Sequence, residues 1–181
     1  ISITEARAII AEGMPVVARR ERVALSDASG RVVAADVVAA SDVPPFNRAS
    51  MDGYAVKAED TDGASRTSPR SVMLAGRIYT GDVPTVAASN GTCVEIATGA
   101  PMPDGADAVV MVEETSLEGD RVAVYAPVRS GQNVGPRGAD ISTGQSVLHP
   151  GEVLNASRVG ALAALGLADV EVWARPSVAI L

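Results

Sequence analysis

The sequence has little of several residue types, and each shortage excludes a class of protein. Cys93 is the only cysteine among 181 residues, so the chain can form no intramolecular disulfide and has no cysteine pair for a metal. Lys and Arg number 15 against 22 Asp and Glu, and the net charge of −7 argues against nucleic acid or an anionic membrane surface as a partner. We therefore expect neither partner, and we expect a cytoplasmic protein.

Long apolar runs and aromatic residues are also scarce. No apolar stretch approaches the roughly 20 residues that a transmembrane helix needs, and no basic segment followed by an apolar one opens the chain. Aromatic residues make up only 3%, so the core must be built from Val, Ala, Ile and Leu, and the many valines favour β-structure. Phe46 and Trp173 are predicted to anchor this packing.

The chain alternates short strand-like segments with turns, and one helix is predicted near each end. Ser2 and Glu5 have the spacing of a capping box for a helix that Gly13 ends, and Asn155 is placed to cap a helix that ends at Gly166. Strand-like patterns occur at 21–25, 36–39, 53–56, 71–76, 77–80, 93–98, 107–114, 121–128, 147–154 (as a strand pair) and 168–173. A hairpin is predicted at Gly119 and Asp120. The pattern indicates a mixed, β-rich α+β fold.

Three loops concentrate polar side chains among glycines and prolines. Loop by loop, these side chains are Asn47, Arg48, Ser50 and Asp52; Thr98, Asp104 and Asp107; and Arg129, Gln132, Asn133, Arg137 and Asp140. Carboxylates bind hard cations such as Mg²⁺, whereas Arg and backbone N–H groups bind anions. The loops therefore suit a site for a phosphate, an oxyanion or a hydrated Mg²⁺.

Each of these residues also has a purely structural interpretation. Asp52 stands before a glycine, where an Asp commonly starts a turn, and Thr98 before Gly99 can simply end a strand. His149 and Cys93 have no partners in the sequence that would indicate a nucleophile or a metal site. The residues alone predict a β-rich domain pair with an anion or metal site and leave the reaction open.

A family resemblance is carried by three stretches in order. DVPPFNRASMDGYAV, IATGAPMPDGADAVVMVEET and SGQNVGPRGADISTGQ resemble the molybdopterin molybdenumtransferase (MoeA) family, which includes the corresponding domain of gephyrin. The resemblance implies insertion of molybdate into adenylylated molybdopterin, with Mg²⁺ and release of AMP, in molybdenum cofactor biosynthesis. The matching positions are Asp52, Thr98 and Asp140 as catalytic residues, Ser50, Gly99 and Arg137 as substrate-binding residues, and Asp52 and Asp140 also as Mg²⁺ ligands.

The resemblance also implies an organisation in domains. Residues 1–14 would form a helix that packs on a pterin-binding α/β domain, 15–40 and 141–175 a discontinuous first domain, 41–140 an inserted β-rich second domain, and 176–181 the start of the pterin-binding domain, which is missing. The family works as a homodimer whose cleft lies between subunits, and the molybdopterin adenylyltransferase protein is a further candidate partner. This chain alone would hold half a site and be inactive.

Some positions depart from the family pattern. Asn47 stands where Asp is common, Arg48 and Ala49 replace an Asn-Ser pair so that Ser50 comes one place later, and Ala139 replaces a Glu.

Two alternative functions from other classes of protein stay open. One is a non-catalytic dimerisation or scaffold module, and the other is a Mg²⁺-dependent phosphohydrolase built on the same loops.

Overall fold

The computed structural model describes residues 1–13 and 18–177, and these fall into two compact units. The described residues up to Ala40 and from Thr143 onward form the first unit, and Ser41–Ser142 forms the second. The helices are α1 (Ile3–Gly13) and α2 (Ala156–Ala164). The strands are β1 (Arg20–Ala24), β2 (Val37–Val38), β3 (Arg48–Ala49), β4 (Gly53–Val56), β5 (Arg70–Ile78), β6 (Thr92–Ile96), β7 (Ala108–Met111), β8 (Thr115–Glu118), β9 (Arg121–Val124), β10 (Val134–Gly135), β11 (Ser146–Leu148) and β12 (Asp169–Trp173).

The capping box predicted for α1 is confirmed. The Ser2 backbone N–H donates to Glu5 Oε2 at 2.7 Å, and the Glu5 N–H donates to Ser2 Oγ at 3.2 Å. None of the α1 residues is buried, and Ile3, Ile9 and Ile10 are 76%, 60% and 59% exposed. The packing of this helix on a pterin-binding domain therefore stays a prediction. Neither α1 nor any other helix among the described residues has the length and apolar character to cross a membrane.

The first unit is built on two short antiparallel strand pairs and α2. β1 pairs with β12 and β2 pairs with β11. The Asn155 side chain accepts the Arg158 backbone N–H at 2.9 Å, which confirms the predicted helix cap, and Leu162 on the inner face of α2 is fully buried. The core of this unit consists of Ala28, Val33, Leu148, Leu154, Leu162, Val170 and Val172.

The strand pair predicted over 147–154 is wrong. Only Ser146–Leu148 is a strand, and its partner is β2; Val153 makes an isolated bridge with Val32. The segment between them forms a tight turn in which the His149 N–H donates to Glu152 Oε2, while the Gly151 N–H donates to the Val33 carbonyl. These bonds turn the chain so that the segment before the turn pairs with β2, while Val153 after it bridges to Val32. Of the predicted start of a further domain at 176–181, residues 178–181 lie outside the described residues.

The second unit is built on a six-stranded sheet with strand order β7-β4-β6-β5-β9-β8. Only the β5–β6 pair is parallel, and every other neighbouring pair in this sheet is antiparallel. The predicted hairpin is present, because Glu118 of β8 pairs with Arg121 of β9 across Gly119 and Asp120. β3 and β10 form a separate small pair in the same unit. This unit spans 41–142, against the 41–140 expected from the resemblance.

Both faces of the sheet centre are buried. All four residues of β4 are buried, and the last three alternate between two apolar clusters: Tyr54 and Val56 belong to one, Ala55 to the other. This explains why β4 and β7 read as continuous apolar runs rather than alternating patterns. Such a double-sided core fixes the ends of β4 and β6, where the candidate site lies.

Two details of the second unit differ from the sequence prediction. The segments predicted as separate strands at 71–76 and 77–80 form one strand, β5, whose register shifts between Leu74 and Gly76. Phe46 is not a packing anchor, since it is 42% exposed. In the first unit, Trp173 is half-buried and the Arg20 guanidinium lies 4.9 Å from its ring centroid.

Candidate functional site

The first two polar loops meet at Asp52. This residue immediately precedes β4, and Thr98 follows the end of β6. Because β4 and β6 are antiparallel neighbours, the start of one strand lies beside the end of the other. Asp52 Oδ1 accepts two hydrogen bonds from Thr98, from the backbone N–H at 2.7 Å and from the hydroxyl at 3.0 Å. The sheet thus joins two residues that the sequence separates.

These hydrogen bonds stabilise the carboxylate form of Asp52. The Thr98 backbone N–H, and after it the Thr98 hydroxyl, hold the pKa of the Asp52 carboxyl below its ordinary value. Since the folded-state pKa is depressed, the stabilising contribution is present above the unfolded-state pKa and is lost as the pH falls through the folded-state pKa. At neutral pH Asp52 is therefore an anionic acceptor.

Replacing Thr98 by Val should raise the pKa of Asp52. Valine has the shape of threonine without the hydroxyl, so the variant loses one of the two hydrogen bonds to Oδ1 and keeps the backbone bond. Thr98→Ser restores the hydroxyl and should leave the pKa as it is in the original chain. The measurement is an NMR titration of the Asp52 carboxyl carbon in the three proteins. Identical titration curves for the valine and serine variants would contradict the assignment.

The turn that follows Thr98 is tied to the first loop. The Gly99 N–H donates to the Ala49 carbonyl at 2.8 Å, and the Ala49 N–H donates to the Ala100 carbonyl at 3.0 Å. Gly99 has φ +83°, a conformation that residues with a side chain rarely adopt. The Thr80 hydroxyl donates to the Thr98 carbonyl at 2.9 Å from the other side. The predicted substrate-binding Gly99 therefore lies next to the Asp52–Thr98 pair.

The third loop is tied to the first loop at Val43 and Arg48. The Asp140 N–H donates to the Val43 carbonyl, and β10 pairs with β3, which contains Arg48. The Asp140 Oδ2 lies 3.8 Å from Arg48 Nη2, an ion pair with 61% of the Asp140 side chain exposed. Arg48 is a polar residue to which the sequence assigned no role. The structure makes it the partner of Asp140.

Ser50 and Arg137, both predicted to bind substrate, are held by different contacts. The Ser50 backbone N–H donates to the Asn133 carbonyl at 2.9 Å. Arg137 donates its backbone N–H to Asn47 Oδ1 at 2.8 Å, and its guanidinium Nε donates to the Asp42 carboxylate. The Arg137 side chain is 61% exposed, so it faces solvent while paired to Asp42.

A shallow cavity of about 200 Å³ adjoins Asp52 on the sheet. Its lining residues are Asp52, Gly53, Tyr54, Tyr79, Glu95, Ile96, Ala97 and Val112. Tyr79 and Glu95 belong to none of the three polar loops and were not predicted as site residues. Only their positions relative to the strands could indicate a role. Tyr79 and Val112 each come directly after a strand, and Thr98 follows the end of β6 in the same way, one residue later.

The two predicted Mg²⁺ ligands have the right chemistry for a sparsely coordinated ion. Among the described residues, Asp52 Oδ2 accepts no hydrogen bond, and Asp140 is exposed. No group of three or more His, Cys, Asp or Glu side chains within residues 1–13 and 18–177 is arranged to hold a metal ion. Mg²⁺ commonly keeps several waters and takes one or two carboxylates together with substrate phosphates. Each carboxylate could serve singly as such a ligand, and the described residues form no complete cage.

The fold matches that of solved proteins. Two structures of the molybdopterin biosynthesis MoeA protein from Pyrococcus horikoshii superimpose with TM-scores of 0.86 and 0.87, at 33% and 37% sequence identity. They cover 97% and 96% of this chain and 45% and 46% of the solved chains. The chain therefore has a β-rich, two-unit fold that forms part of these longer MoeA proteins.

The chain belongs to the family described as the MoeA N-terminal region (domain I and II), whose model matches residues 1–166. Molybdopterin molybdenumtransferase 2 of Mycobacterium tuberculosis is 38% identical over 180 residues, 99% of this chain and 44% of the relative. Molybdopterin molybdenumtransferase of Staphylococcus aureus is 35% identical over 159 residues, 88% and 38% of the two chains. The chain therefore spans less than half the length of these curated relatives.

Proposed function

We propose that this chain supplies the N-terminal part of a molybdopterin molybdenumtransferase, which inserts molybdate into adenylylated molybdopterin and releases AMP. The single observation that carries the proposal is the Asp52–Thr98 pair, because it joins two of the three motifs that resemble the family at one hydrogen-bonded point. The names of the similar proteins support molybdenum cofactor biosynthesis as the process.

In this proposal the chain positions charge around an anionic substrate. Asp52 is exposed and accepts the two Thr98 hydrogen bonds on Oδ1, and the Arg48–Asp140 pair adds a guanidinium and a second carboxylate. Asp52 and Asp140 would hold Mg²⁺, which when bound neutralises phosphate and molybdate oxygens. Arg137 and Arg48 attract the anions, and Gly99 offers a turn without a side chain close to Thr98. Molybdate and adenylylated molybdopterin are the proposed substrates.

The proposal also includes partners, which are expectations from the family. These are a second copy of the protein in a homodimer, a pterin-binding part beyond this chain, and the molybdopterin adenylyltransferase protein. By the same reasoning the isolated 181 residues hold only part of the active cleft, and they should not catalyse molybdenum insertion. The exposed Ile3, Ile9 and Ile10 of α1 are consistent with a helix that packs on another body.

The two alternative functions are less well supported. A pure scaffold does not require an ionised Asp52 held by two donors at the meeting point of two loops. A Mg²⁺-dependent phosphohydrolase could use the same one or two carboxylates as the transferase, so the metal ligands do not distinguish these two functions. The curated relatives carry the name of a transferase.

The test is an activity assay on the protein as its native cell produces it. Purified protein is mixed with adenylylated molybdopterin, molybdate and Mg²⁺, and AMP release is measured together with reconstitution of a molybdenum-free enzyme. We expect AMP release that depends on molybdate. Hydrolysis of a simple phosphate ester without molybdate would favour the phosphohydrolase, and no reaction in either assay would contradict both enzyme hypotheses.

A further inference from the structure

The cavity beside Asp52 has aromatic and aliphatic walls with a small residue between them. Asp52 precedes β4, Ala97 follows β6, and Tyr79 follows β5, so the three lie in one row across the end of the sheet. Val112, after β7, closes the row on the other side. Tyr79 and Val112 are 50% and 49% exposed, whereas Ala97 has too short a side chain to fill the space between them. The result is a slot with a tyrosine ring at one side.

The cavity lining carries two carboxylates and, within the part of the chain that the structure describes, no cationic side chain. The carboxylates belong to Asp52 and to Glu95, which lies one row further into the sheet. Arg77 Nε donates to Glu95 Oε2 at 2.8 Å, which leaves Oε1 without a hydrogen bond among the described residues. A phosphate would meet the Asp52 carboxylate and a Glu95 carboxylate that Arg77 already neutralises, whereas a neutral group with N–H donors could donate to Glu95 Oε1.

The size of the cavity limits the ligand part that it can hold. Complete ligand pockets are typically about 300–1,000 Å³, and this cavity is about 200 Å³. It therefore accommodates one planar ring system rather than a whole nucleotide. A half-exposed tyrosine beside such a space is the usual platform for stacking of a heteroaromatic ring.

The position of Tyr79 is fixed by the same network that holds Thr98. The Tyr79 backbone N–H donates to Asp82 Oδ2 at 2.8 Å, and the Asp82 N–H donates to the Tyr79 carbonyl at 3.0 Å. Between them, the Thr80 hydroxyl donates to the Thr98 carbonyl at 2.9 Å. Because Thr98 in turn donates to Asp52, the tyrosine and the carboxylate belong to one connected arrangement.

We propose that Tyr79 forms the stacking wall of a subsite for an amino-substituted heteroaromatic ring, with Glu95 as acceptor of the ring's N–H groups. This inference rests on the proposed function for its probes, since the proposed substrate carries two such rings, a pterin and an adenine. It goes beyond that function by assigning the ring to this cavity and the phosphates to the region outside it.

The test is an NMR titration of the 181-residue chain with 6-hydroxymethylpterin, adenosine and inorganic phosphate in separate samples. We expect saturable shifts of the Tyr79, Ala97 and Val112 amides with one of the two ring compounds, and that compound identifies which ring the subsite takes. Tyr79→Ala should weaken the binding by about 5-fold or more, in the range found for base–aromatic stacking. Tyr79→Phe should retain it, because the ring face is unchanged.

A matched control and two contradicting outcomes make the result decisive. Met73→Ala removes another half-exposed apolar side chain from β5 that does not line the cavity, so binding should be unchanged. Shifts with phosphate alone, or equal binding by the Tyr79→Ala and original chains, would overturn the subsite. Ring binding does not require turnover, so the two proposals can fail separately. A native protein that fails to release AMP would refute the proposed function and leave the subsite standing. Molybdenum insertion by a protein that binds neither ring compound would refute the subsite and leave the proposed function standing.

Discussion

Under the proposed function, replacing Asp52 by Asn is expected to reduce molybdenum insertion by about 100-fold or more, the usual cost of losing a positioned catalytic group. The substitution is made in the protein at its native length and insertion is measured as molybdate-dependent AMP release. Asparagine keeps the size of the side chain, and its amide oxygen can still accept the Thr98 donors. What disappears is the negative charge of the carboxylate. A neutral amide is a poor ligand for Mg²⁺.

The control for this experiment is Asp104→Asn. Asp104 lies in the second polar loop, is exposed, and makes no side-chain hydrogen bond among the described residues, so the same chemical change there should leave insertion intact. Size-exclusion chromatography of both variants checks that the oligomeric state is unchanged. Full activity in the Asp52→Asn protein would remove Asp52 from the site and strengthen the scaffold alternative.

The polar loops were predictable from the sequence because their residue types are restrictive. Asp52 and Thr98 each stand beside a glycine at the edge of an apolar run, so their location at strand ends follows from local patterns. The hydrogen bonds between them depend on strand order, which the sequence pattern does not specify. The antiparallel β4–β6 pairing brings them together, and that pairing arises from burial on both faces of β4.

Pairings between distant segments could not be predicted for the same reason. β1 and β12 each read as a strand, but their partnership depends on the first unit closing around Leu154 and Leu162. The sequence pattern does not predict a role for Tyr79, because a single tyrosine after a strand has no distinctive spacing. Its importance appears only when Ala97 and Asp52 are seen on neighbouring strands. Long-range contacts of this kind are set by the whole core, and local propensity does not encode them.

Gly53→Ala is expected to destabilise the second unit by about 3 kcal/mol or more, at the upper end of the cost of overpacking. A Cβ at Gly53 would lie 1.9 Å from the Val110 carbonyl oxygen and 2.9 Å from its carbon. These are backbone atoms of β7, which pairs with β4, so neither can move without breaking the pairing. Because Gly53 follows Asp52 directly, the separation of β4 and β7 would also disturb the site.

The measurement can separate the two units, since Trp173 is the only tryptophan and lies in the first unit. In urea unfolding of the Gly53→Ala chain, Trp173 fluorescence should report the first unit, while amide hydrogen exchange in β4 and β7 reports the second. Gly160→Ala is the control, because a Cβ at Gly160 in α2 meets no atom within 4 Å. That variant should be more stable by up to about 1 kcal/mol, the gain of alanine over glycine in a helix. Unchanged exchange in β4 and β7 of the Gly53→Ala chain would mean that the two strands do not approach as closely as this sheet requires, and the placement of Asp52 at its end would have to be abandoned with it.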